Sequence, residues 1–390
     1  MNPLRRKIEM EIQERGPIPF SRYMELCLYD PELGYYSRDA QRFGKAGDFY
    51  TSSDVHAVFG RLLARQFDEM WRVLGSPAQI EVVEFGPGRG LFAQDVLDCL
   101  EKKFPEFLRA LRYILVERSP ALRRRIEATL ARHLESGKAR LSDLPLERPL
   151  DLAGEAWFGA APTIVFANEF FDALPVEVLS AEGSLRIGAR DGRFLEDWRP
   201  HSREELEFLD RYSIHPESDV RVEAPLAAQR FMDCVADRIQ RGFLIAIDYG
   251  YTREEQLAGR HRGTLKAIRQ HSISANPYES PGEQDITADV NFTALAAAAE
   301  RRGMQTQRLL TQSQFLMGVG EANQFADAFE ECRLPQERAK VALQLKHLVT
   351  PAGMGESFHV LIASKGIEEK RTTSLSGVNF GRRQIAAEHC

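Results

Sequence analysis

One stretch of the sequence decides the fold: Glu81-Val82-Val83-Glu84-Phe85-Gly86-Pro87-Gly88-Arg89-Gly90-Leu91. It joins a short apolar run to the start of a helical pattern, with three glycines at alternate positions between them. Glycine lets the backbone turn sharply and lets a ligand approach the main chain closely. The dinucleotide-binding fingerprint has the spacing G-x-G-x-x-G. The spacing here is G-x-G-x-G after an acid, which favours a ligand without a phosphate to bind, such as S-adenosylmethionine.

The next apolar run, residues 113–117, ends in the carboxylate of Glu117. An acid at the end of that strand can accept hydrogen bonds from both hydroxyls of an adenosine ribose. Asp143, after a possible third strand, is a candidate for the adenine amine, although a surface-loop acid is the simpler interpretation. The alternative for the whole pattern is a tight strand–helix turn with two exposed acids. The residues assigned to a cofactor site are Glu84, Gly86, Gly88, Gly90, Glu117, Asp143 and Asn168.

Short apolar runs alternate with helical patterns from residue 79 onward, which is typical of a parallel sheet covered by helices on both faces. The fold class is therefore α/β, a doubly wound sheet with an N-terminal helical region and an inserted subdomain. The predicted strands are 80–84, 113–117, 163–167, 243–248, 304–310 and 358–364. The predicted domains are a helical cap with ligand-covering loops (1–75), the first part of the core (76–178), an insertion with a hairpin at Asp191-Gly192 and a helix (179–240), the rest of the core with a lid loop at 251–290 (241–365), and a disordered tail (366–390).

The strand at 163–167 is followed by an acidic turn, Asn168-Glu169-Phe170-Phe171-Asp172-Ala173-Leu174-Pro175. Ligands of open α/β sheets bind beyond the carboxyl ends of the strands, so this turn should share the mouth of the glycine loop. Two carboxylates three residues apart, Glu169 and Asp172, can converge on a planar guanidinium. The alternative is that Asp172 caps a short turn and Glu169 is a solvated acid.

A long polar segment around residues 261–293 is rich in groups that form hydrogen bonds, as lids and binding loops often are. Gln284 and Asp285 are its candidates for contact with the substrate, although Asp285 or Thr287 can equally cap the helix that follows. His261 and His271 have no partners at metal-ligand spacing, so no metal site is predicted.

The composition excludes several classes of protein. The chain has 390 residues, a net charge of −6, 43% hydrophobic and 28% charged residues, so it is neither disordered nor fibrous. The slight acidity disfavours nucleic acid as a partner. The five scattered cysteines show no disulfide framework, and no apolar run is long enough for membrane insertion. These features, with an N-terminal segment that mixes acids and bases, predict a cytoplasmic location.

Several motifs together resemble the MidA-like protein arginine methyltransferases, a bacterial and mitochondrial family linked to assembly of respiratory complex I. The matching strings appear in order over residues 16–365: Gly16-Pro17-Ile18-Pro19-Phe20, Tyr29-Asp30-Pro31-Glu32-Leu33-Gly34-Tyr35-Tyr36, Gly47-Asp48-Phe49-Tyr50-Thr51-Ser52, the glycine loop, the acidic turn, and Pro281-Gly282-Glu283-Gln284-Asp285-Ile286-Thr287. Two positions depart from the family pattern, which usually has His at 289 and Asp at 291, where this chain has Asp289 and Asn291.

The resemblance implies a class I methyltransferase fold, S-adenosylmethionine as methyl donor and a protein client with a target arginine. Mitochondrial members are described as making symmetric ω-dimethylarginine on a complex I subunit. It further implies that the three glycines and Glu117 hold the cofactor, that Glu169 lies beside the methyl-transfer point with Asp172 assisting, and that a loop at 45–54, with Thr51 and Ser52, closes over the ligand. The competing hypotheses are a non-catalytic assembly chaperone that keeps this fold and, suggested by the glycine loop alone, a nucleotide-dependent oxidoreductase. The sequence does not define the oligomeric state.

Overall fold

The computed structural model describes residues 2–37, 57–142, 159–269, 272–274, 276–330 and 332–380. The helices are α1 Pro3–Arg15, α2 Phe20–Tyr29, α3 Ala57–Val73, α4 Leu91–Lys103, α5 Pro105–Ala110, α6 Pro120–Thr129, α7 Ala131–Glu135, α8 Arg203–Tyr212, α9 Leu226–Arg238, α10 Arg253–Leu257, α11 Phe292–Arg301, α12 Gln312–Glu321, α13 Ala326–Phe329, α14 Pro335–Val349 and α15 Glu369–Thr372, with a 3-10 helix at Tyr35–Ser37. The strands are β1 Ile18–Pro19, β2 Ile80–Phe85, β3 Leu111–Val116, β4 Ala139–Leu141, β5 Thr163–Asn168, β6 Glu177–Ser180, β7 Gly183–Arg190, β8 Arg193–Arg199, β9 Val222–Ala224, β10 Gly242–Tyr251, β11 Lys266–Arg269, β12 Ser272–Ser274, β13 Asp285–Thr287, β14 Val290–Asn291, β15 Gln305–Thr306, β16 Leu310–Thr311 and β17 Phe358–Lys365.

The central sheet has the strand order β15-β17-β10-β5-β2-β3-β4. The strands from β4 to β10 pair in parallel, whereas β17 is antiparallel to β10. The chain order reverses between β2 and β5, and such a switch point opens a crevice at the carboxyl ends of the strands. The glycine loop follows β2 and the acidic turn follows β5, so both lie at this crevice. The predicted α/β fold class is confirmed, while the strand expected at 304–310 is divided into β15 and β16.

Each face of the central sheet is covered by helices. One apolar cluster joins Phe92 of α4, Phe67 of α3 and Phe166 of β5, and it extends to α12. The second cluster joins Phe231 of α9 and Leu295 of α11 to the opposite face of the same strands. Both faces are therefore packed with apolar side chains, and open α/β sheets of this kind bind ligands at the carboxyl ends of their strands.

A third apolar cluster, which we call the roof, lies beyond the sheet edge. It combines α1 and α2 with the antiparallel sheet β1-β7-β6-β9 and with Ile286 of β13. The hairpin predicted at Asp191-Gly192 is present between β7 and β8, and both turn residues have positive φ, as a two-residue type I′ turn requires. Long-range hydrogen bonds unite the roof, because Asn2 Nδ2 donates to the Pro281 carbonyl at 2.9 Å.

Two of the less regular segments contain more ordered structure than the sequence predicted. The predicted lid loop contains a three-stranded sheet, β12-β11-β13, which we call the lid sheet, because strands of three or four residues are too short to show a periodic pattern. The tail was expected to be disordered from residue 366, yet Leu375 and Val378 are buried and the Gly377 amide donates to Gln66 Oε1 at 3.0 Å. Residues 381–390 lie outside the described residues. None of the described helices has both the length and the apolar composition needed to cross a membrane.

Candidate functional site

The glycine loop is shaped by three left-handed backbone positions. Gly86, Gly88 and Gly90 have φ of +65°, +54° and +77°, a region that residues with a Cβ rarely adopt. A Cβ on Gly88 would meet no described atom within 4 Å, whereas one on Gly86 would lie 2.9 Å from the Phe170 ring. The loop therefore presents open backbone at Gly88 and touches the acidic turn at Gly86.

Glu84 is buried directly before this loop. The Tyr113 hydroxyl donates to Glu84 Oε2 at 2.9 Å. Burial raises the pKa of Glu84 to about 8, with a smaller contribution from the negative charge of Glu117, and the hydrogen bond from Tyr113 opposes the change. Glu84 consequently holds a proton at neutral pH until a cation or a set of donors stabilises its charged form.

Glu117 follows β3 at the same edge of the sheet. Its Oε1 accepts the Ser119 amide at 2.8 Å, and Arg123 Nη1 donates to the Glu117 carbonyl at 3.0 Å. Burial raises the pKa of Glu117 to about 7, although the backbone amides of Ser119 and Arg118 oppose the change. A ligand that brings further hydroxyl donors to this carboxylate would favour its ionised form.

The acidic turn is organised by an acid that sequence reasoning missed. Asp248 of β10 is fully buried, and its Oδ2 accepts three consecutive amides, from Phe170, Phe171 and Asp172, at 3.1, 3.0 and 3.3 Å. Its Oδ1 accepts the Tyr249 amide at 3.0 Å. Burial, with the negative charges of Asp172 and Glu169 nearby, raises the pKa of Asp248 well above its ordinary value. The available signal was an acid at the carboxyl end of an otherwise apolar strand.

Glu169 occupies a strained position in this turn. Its φ is +49°, although it is not a glycine, and its amide donates to the Ile247 carbonyl at 2.9 Å. Asn168 Nδ2 donates to Glu169 Oε1 at 3.2 Å. Left-handed backbone at a residue with a side chain persists only where the surroundings hold it, and such strain is common at functional sites.

Asp172 is buried and bonded through only one of its carboxylate oxygens within the described residues. The Tyr249 hydroxyl donates to Oδ2 at 2.5 Å, while Oδ1 is buried without a hydrogen-bond partner in that part of the chain. Burial raises the pKa of Asp172 to about 6, and Tyr249 opposes the change. A hydrogen bond from the Ala173 amide also lowers the pKa of Asp172, and the alternative that Asp172 caps a short turn stays a prediction.

The roof and the lid sheet meet above the acidic turn. The Tyr36 hydroxyl donates to Asp285 Oδ1 at 2.9 Å, and the Tyr29 hydroxyl donates to the Ala173 carbonyl at 2.9 Å. The Ala288 amide donates to the Asp172 carbonyl at 3.0 Å. Burial raises the pKa of Tyr36 well above its ordinary value, and the charges of Asp285 and Asp172 add to this effect. Asp285 therefore lies near the acidic turn with a tyrosine beside it.

Other predicted residues have different surroundings. Gln284 bonds within its own loop, where Oε1 accepts the Ser280 amide at 3.2 Å. The cap of α11 is Asn291, whose side chain accepts the Ala294 amide at 3.0 Å, so neither Asp285 nor Thr287 caps that helix. No cluster of three or more His, Cys, Asp or Glu side chains suited to a metal ion occurs among the described residues. Thr51, Ser52 and Asp143 lie outside the described residues.

Comparison with known proteins places the chain in a family of methyltransferases. The family described as "Putative S-adenosyl-L-methionine-dependent methyltransferase" matches residues 62–310. The chain belongs to this family. The methyltransferase class predicted from the motifs is thereby confirmed, and the oxidoreductase hypothesis is wrong.

Relatives and solved structures agree with the family. The methyltransferase is 31% identical to a Drosophila melanogaster protein named protein arginine methyltransferase NDUFAF7 homolog, mitochondrial, over 93% of this chain and 85% of that one. It is 26% identical to the human protein arginine methyltransferase NDUFAF7, mitochondrial, over 92% and 82% of the two chains. A Burkholderia thailandensis crystal structure bound to S-adenosyl-homocysteine is 30% identical, with a TM-score of 0.79 over 96% of this chain and 94% of that one.

The comparisons also correct one prediction. These curated relatives are named as mitochondrial proteins, so the predicted cytoplasmic location is wrong. Composition indicates the class of a protein and the redox state of its cysteines. Location is set by targeting signals that receptors recognise, and such short segments have little influence on the overall composition.

The residues present fit the adenosyl cofactor of the family. Gly88 offers open backbone that a Cβ would fill. Glu84 and Glu117 are acids in the same crevice whose pKa values burial raises, so that a cationic and hydroxyl-rich ligand would stabilise their charged forms. No phosphate group is needed to explain the site.

Proposed function

We propose that the chain is a protein arginine methyltransferase, which transfers methyl groups from S-adenosylmethionine to a peptidyl arginine of a protein client. The observation that carries the acceptor is the buried Oδ1 of Asp172, which has no hydrogen-bond partner among the described residues and lies in a turn that touches the glycine loop through Phe170. A buried carboxylate is costly unless a cation or donors neutralise it, and a guanidinium offers both. The names of the curated relatives support the same acceptor.

On the cofactor side, the glycine loop would cradle the ligand at Gly88, and Glu117 would accept hydrogen bonds from the ribose hydroxyls. Glu84 would stabilise positive charge at the amino or sulfonium group, and Asn168 would contribute from the end of β5. When bound, S-adenosylmethionine supplies an electrophilic methyl group. These assignments rest on the shared sheet edge and on the perturbed acids described above.

On the acceptor side, Glu169 and Asp172 would hold the guanidinium. A guanidinium is almost always protonated and is therefore a weak nucleophile. Two carboxylates that bind it in a fixed geometry draw its positive charge toward two of its nitrogens and leave the third better able to attack. Attack by a protonated guanidinium gives a methylated group that must lose a proton, and Oδ1 of Asp172 would accept that proton.

Above the acceptor, Asp285 and Tyr36 would form one wall of the pocket. Gln284 would stabilise the loop in which it lies, since its hydrogen bonds are internal to that loop. We retain the prediction that Thr51 and Ser52 belong to a loop that closes over the ligand.

We further propose that the client is a subunit of respiratory complex I. Quantitative mass spectrometry of cells that produce the wild-type chain, the Glu169→Gln variant or neither tests this proposal. We expect methylarginine on the client only with the wild-type chain. Methylation of lysine or of carboxyl groups instead would overturn the acceptor, and complex I assembly restored equally by Glu169→Gln would favour the chaperone hypothesis.

A further inference from the structure

A lysine of the lid sheet lies beside the acidic turn without touching it. Lys266, the first residue of β11, has its Nζ 5.0 Å from the centre of the Tyr249 ring. The same Nζ donates to Asp289 Oδ1 at 2.8 Å. A cation over an aromatic face is attracted by the ring, so Lys266 holds Tyr249 from one side while Asp289 holds the lysine.

Tyr249 links Lys266 to the proposed acceptor site, because it contacts both the lysine and Asp172. Its hydroxyl donates to Asp172 Oδ2 at 2.5 Å, which leaves Oδ1 for the guanidinium. The backbone reinforces the link, because β11 pairs with β13 with Lys266 opposite Thr287, and the Ala288 amide donates to the Asp172 carbonyl.

The charges around Asp172 come from several elements. Asp248 lies on β10 beside Tyr249, Glu169 precedes Asp172 in the acidic turn, Asp285 lies on β13, and Asp289 follows that strand. Two neutral phenols, of Tyr29 and Tyr36, face the turn from the roof. Lys266 lowers the pKa of Asp172, whereas Asp289 raises it, and Nδ1 of the His261 ring lies 3.1 Å from Asp289 Oδ2.

We propose that Lys266 is a positioning residue for the methyl transfer, which fixes Tyr249 over Asp172 and keeps that carboxylate charged for the incoming guanidinium. The inference rests on the proposed arginine acceptor. It assigns to the lid sheet an electrostatic role in addition to covering the site. The ion pair with Asp289 tunes this role, because it both anchors the lysine and offsets part of its charge.

The test is the pH dependence of kcat/KM for Lys266→Met and Asp289→Asn, measured with an arginine peptide that the wild-type chain methylates, because this ratio reports ionisations of the free enzyme. Removing the cation should move the acidic limb of the profile up by about half to one pH unit, and removing the anion should move it down by a similar amount. Opposite shifts cannot come from general destabilisation. Lys266→Arg should restore most of the wild-type profile, since it keeps the charge.

Arg269→Met is the matched control. Arg269 lies on the same strand as Lys266 and forms the same kind of ion pair, with Glu283 at 3.0 Å. In the described part of the chain it does not contact Tyr249. It should leave the profile unchanged. Profiles for Lys266→Met and Asp289→Asn that both coincide with wild type would overturn the inference, whereas a wild-type chain that methylates no arginine would overturn the proposed function instead.

Discussion

Replacement of Asp248 by asparagine tests whether the buried acid builds the acceptor site. Asp248 touches neither proposed ligand in our assignment, but its Oδ2 accepts the amides of Phe170, Phe171 and Asp172. Those bonds fix the turn in which Glu169 has a φ of +49°. The variant has nearly the same shape, so it changes the acceptor strength and leaves the packing intact.

The expected loss of stability follows from the four amides. In the variant, the side-chain oxygen of asparagine can still accept the three amides of the turn. Its NH2 group then faces the Tyr249 amide, which in the wild-type chain donates to Oδ1 of Asp248, so two donors face each other. A buried donor left without a partner costs about 1–3 kcal/mol. The weaker bonds to a neutral acceptor add to this, and relief from burying an acid offsets part of it. We therefore expect the free energy of unfolding to fall by about 2 kcal/mol.

The expected loss of activity is larger. Once the turn is loosened, Glu169 can relax out of the left-handed region and its carboxylate moves. A displacement near 1 Å at a reacting group can lower the rate about 100-fold. Asp248 reaches the glycine loop indirectly, through the contact of Phe170 with Gly86, so the dissociation constant of S-adenosylhomocysteine should change far less than kcat, by less than about threefold.

The assays are methyl transfer to peptidyl arginine, calorimetry with S-adenosylhomocysteine and urea unfolding. Asp233→Asn is the control, because Asp233 is a partly exposed acid on α9 that pairs with Arg301 and Arg302. It should cost less than about 1 kcal/mol and leave kcat unchanged. A stable Asp248→Asn variant with wild-type kcat would refute the view that Asp248 positions Glu169.

Three further predictions follow from the crevice. Glu169→Gln should lower kcat by about 100-fold or more in the methyl-transfer assay while calorimetry still detects S-adenosylhomocysteine, and retention of full activity would contradict the assigned role. Gly88→Ala and its control Gly137→Ala each add a methyl group at a similar positive φ in open space, so each variant should lose about 1 kcal/mol of stability. Of these two variants, we expect only Gly88→Ala to weaken cofactor binding. Equal affinities of the two variants and the wild-type chain in calorimetry would show that the loop does not contact the ligand. The free energy of unfolding of the ligand-free chain, measured with urea, should fall as the pH rises from about 5 to 8. In the folded chain Glu84 and Glu117 keep protons that they have already released in the unfolded chain. A Glu84→Gln variant whose free energy of unfolding falls equally steeply with pH would contradict this account.

The sequence predicted two parts of the fold: the alternating strands and helices of the core, and the turn whose backbone needs positive φ angles. Apolar runs such as 163–167 are short and rich in β-branched residues, which favours buried strands, and the glycine spacing marks a turn with positive φ angles that other residues rarely adopt. The acidic turn was placed correctly at the sheet edge for the same reason, because it directly follows a buried strand. Its chemical assignment stays a proposal.

The rest depended on partners that are distant in sequence. Asp248 looks like the end of an apolar strand, and its role appears only when β10 lies beside β5. The lid sheet is held together by strands of three or four residues, and the packed segment 366–380 contains few apolar residues, of which Leu375 and Val378 are buried. No local pattern carries information about such pairings, because their stability comes from the surfaces that they meet.

The long-range contacts of the roof imply an order of assembly on the ribosome. The pairing of β2 with β3 joins segments close in sequence and can form once about 120 residues have emerged, whereas Asn2 bonds to the carbonyl of Pro281, 279 positions later. The helices α1 and α2 must therefore wait, with apolar faces exposed, until most of the chain has been synthesised. The glycine loop and Glu117 can therefore take their positions early, whereas the contact of α1 with Pro281 forms only after that residue has been synthesised.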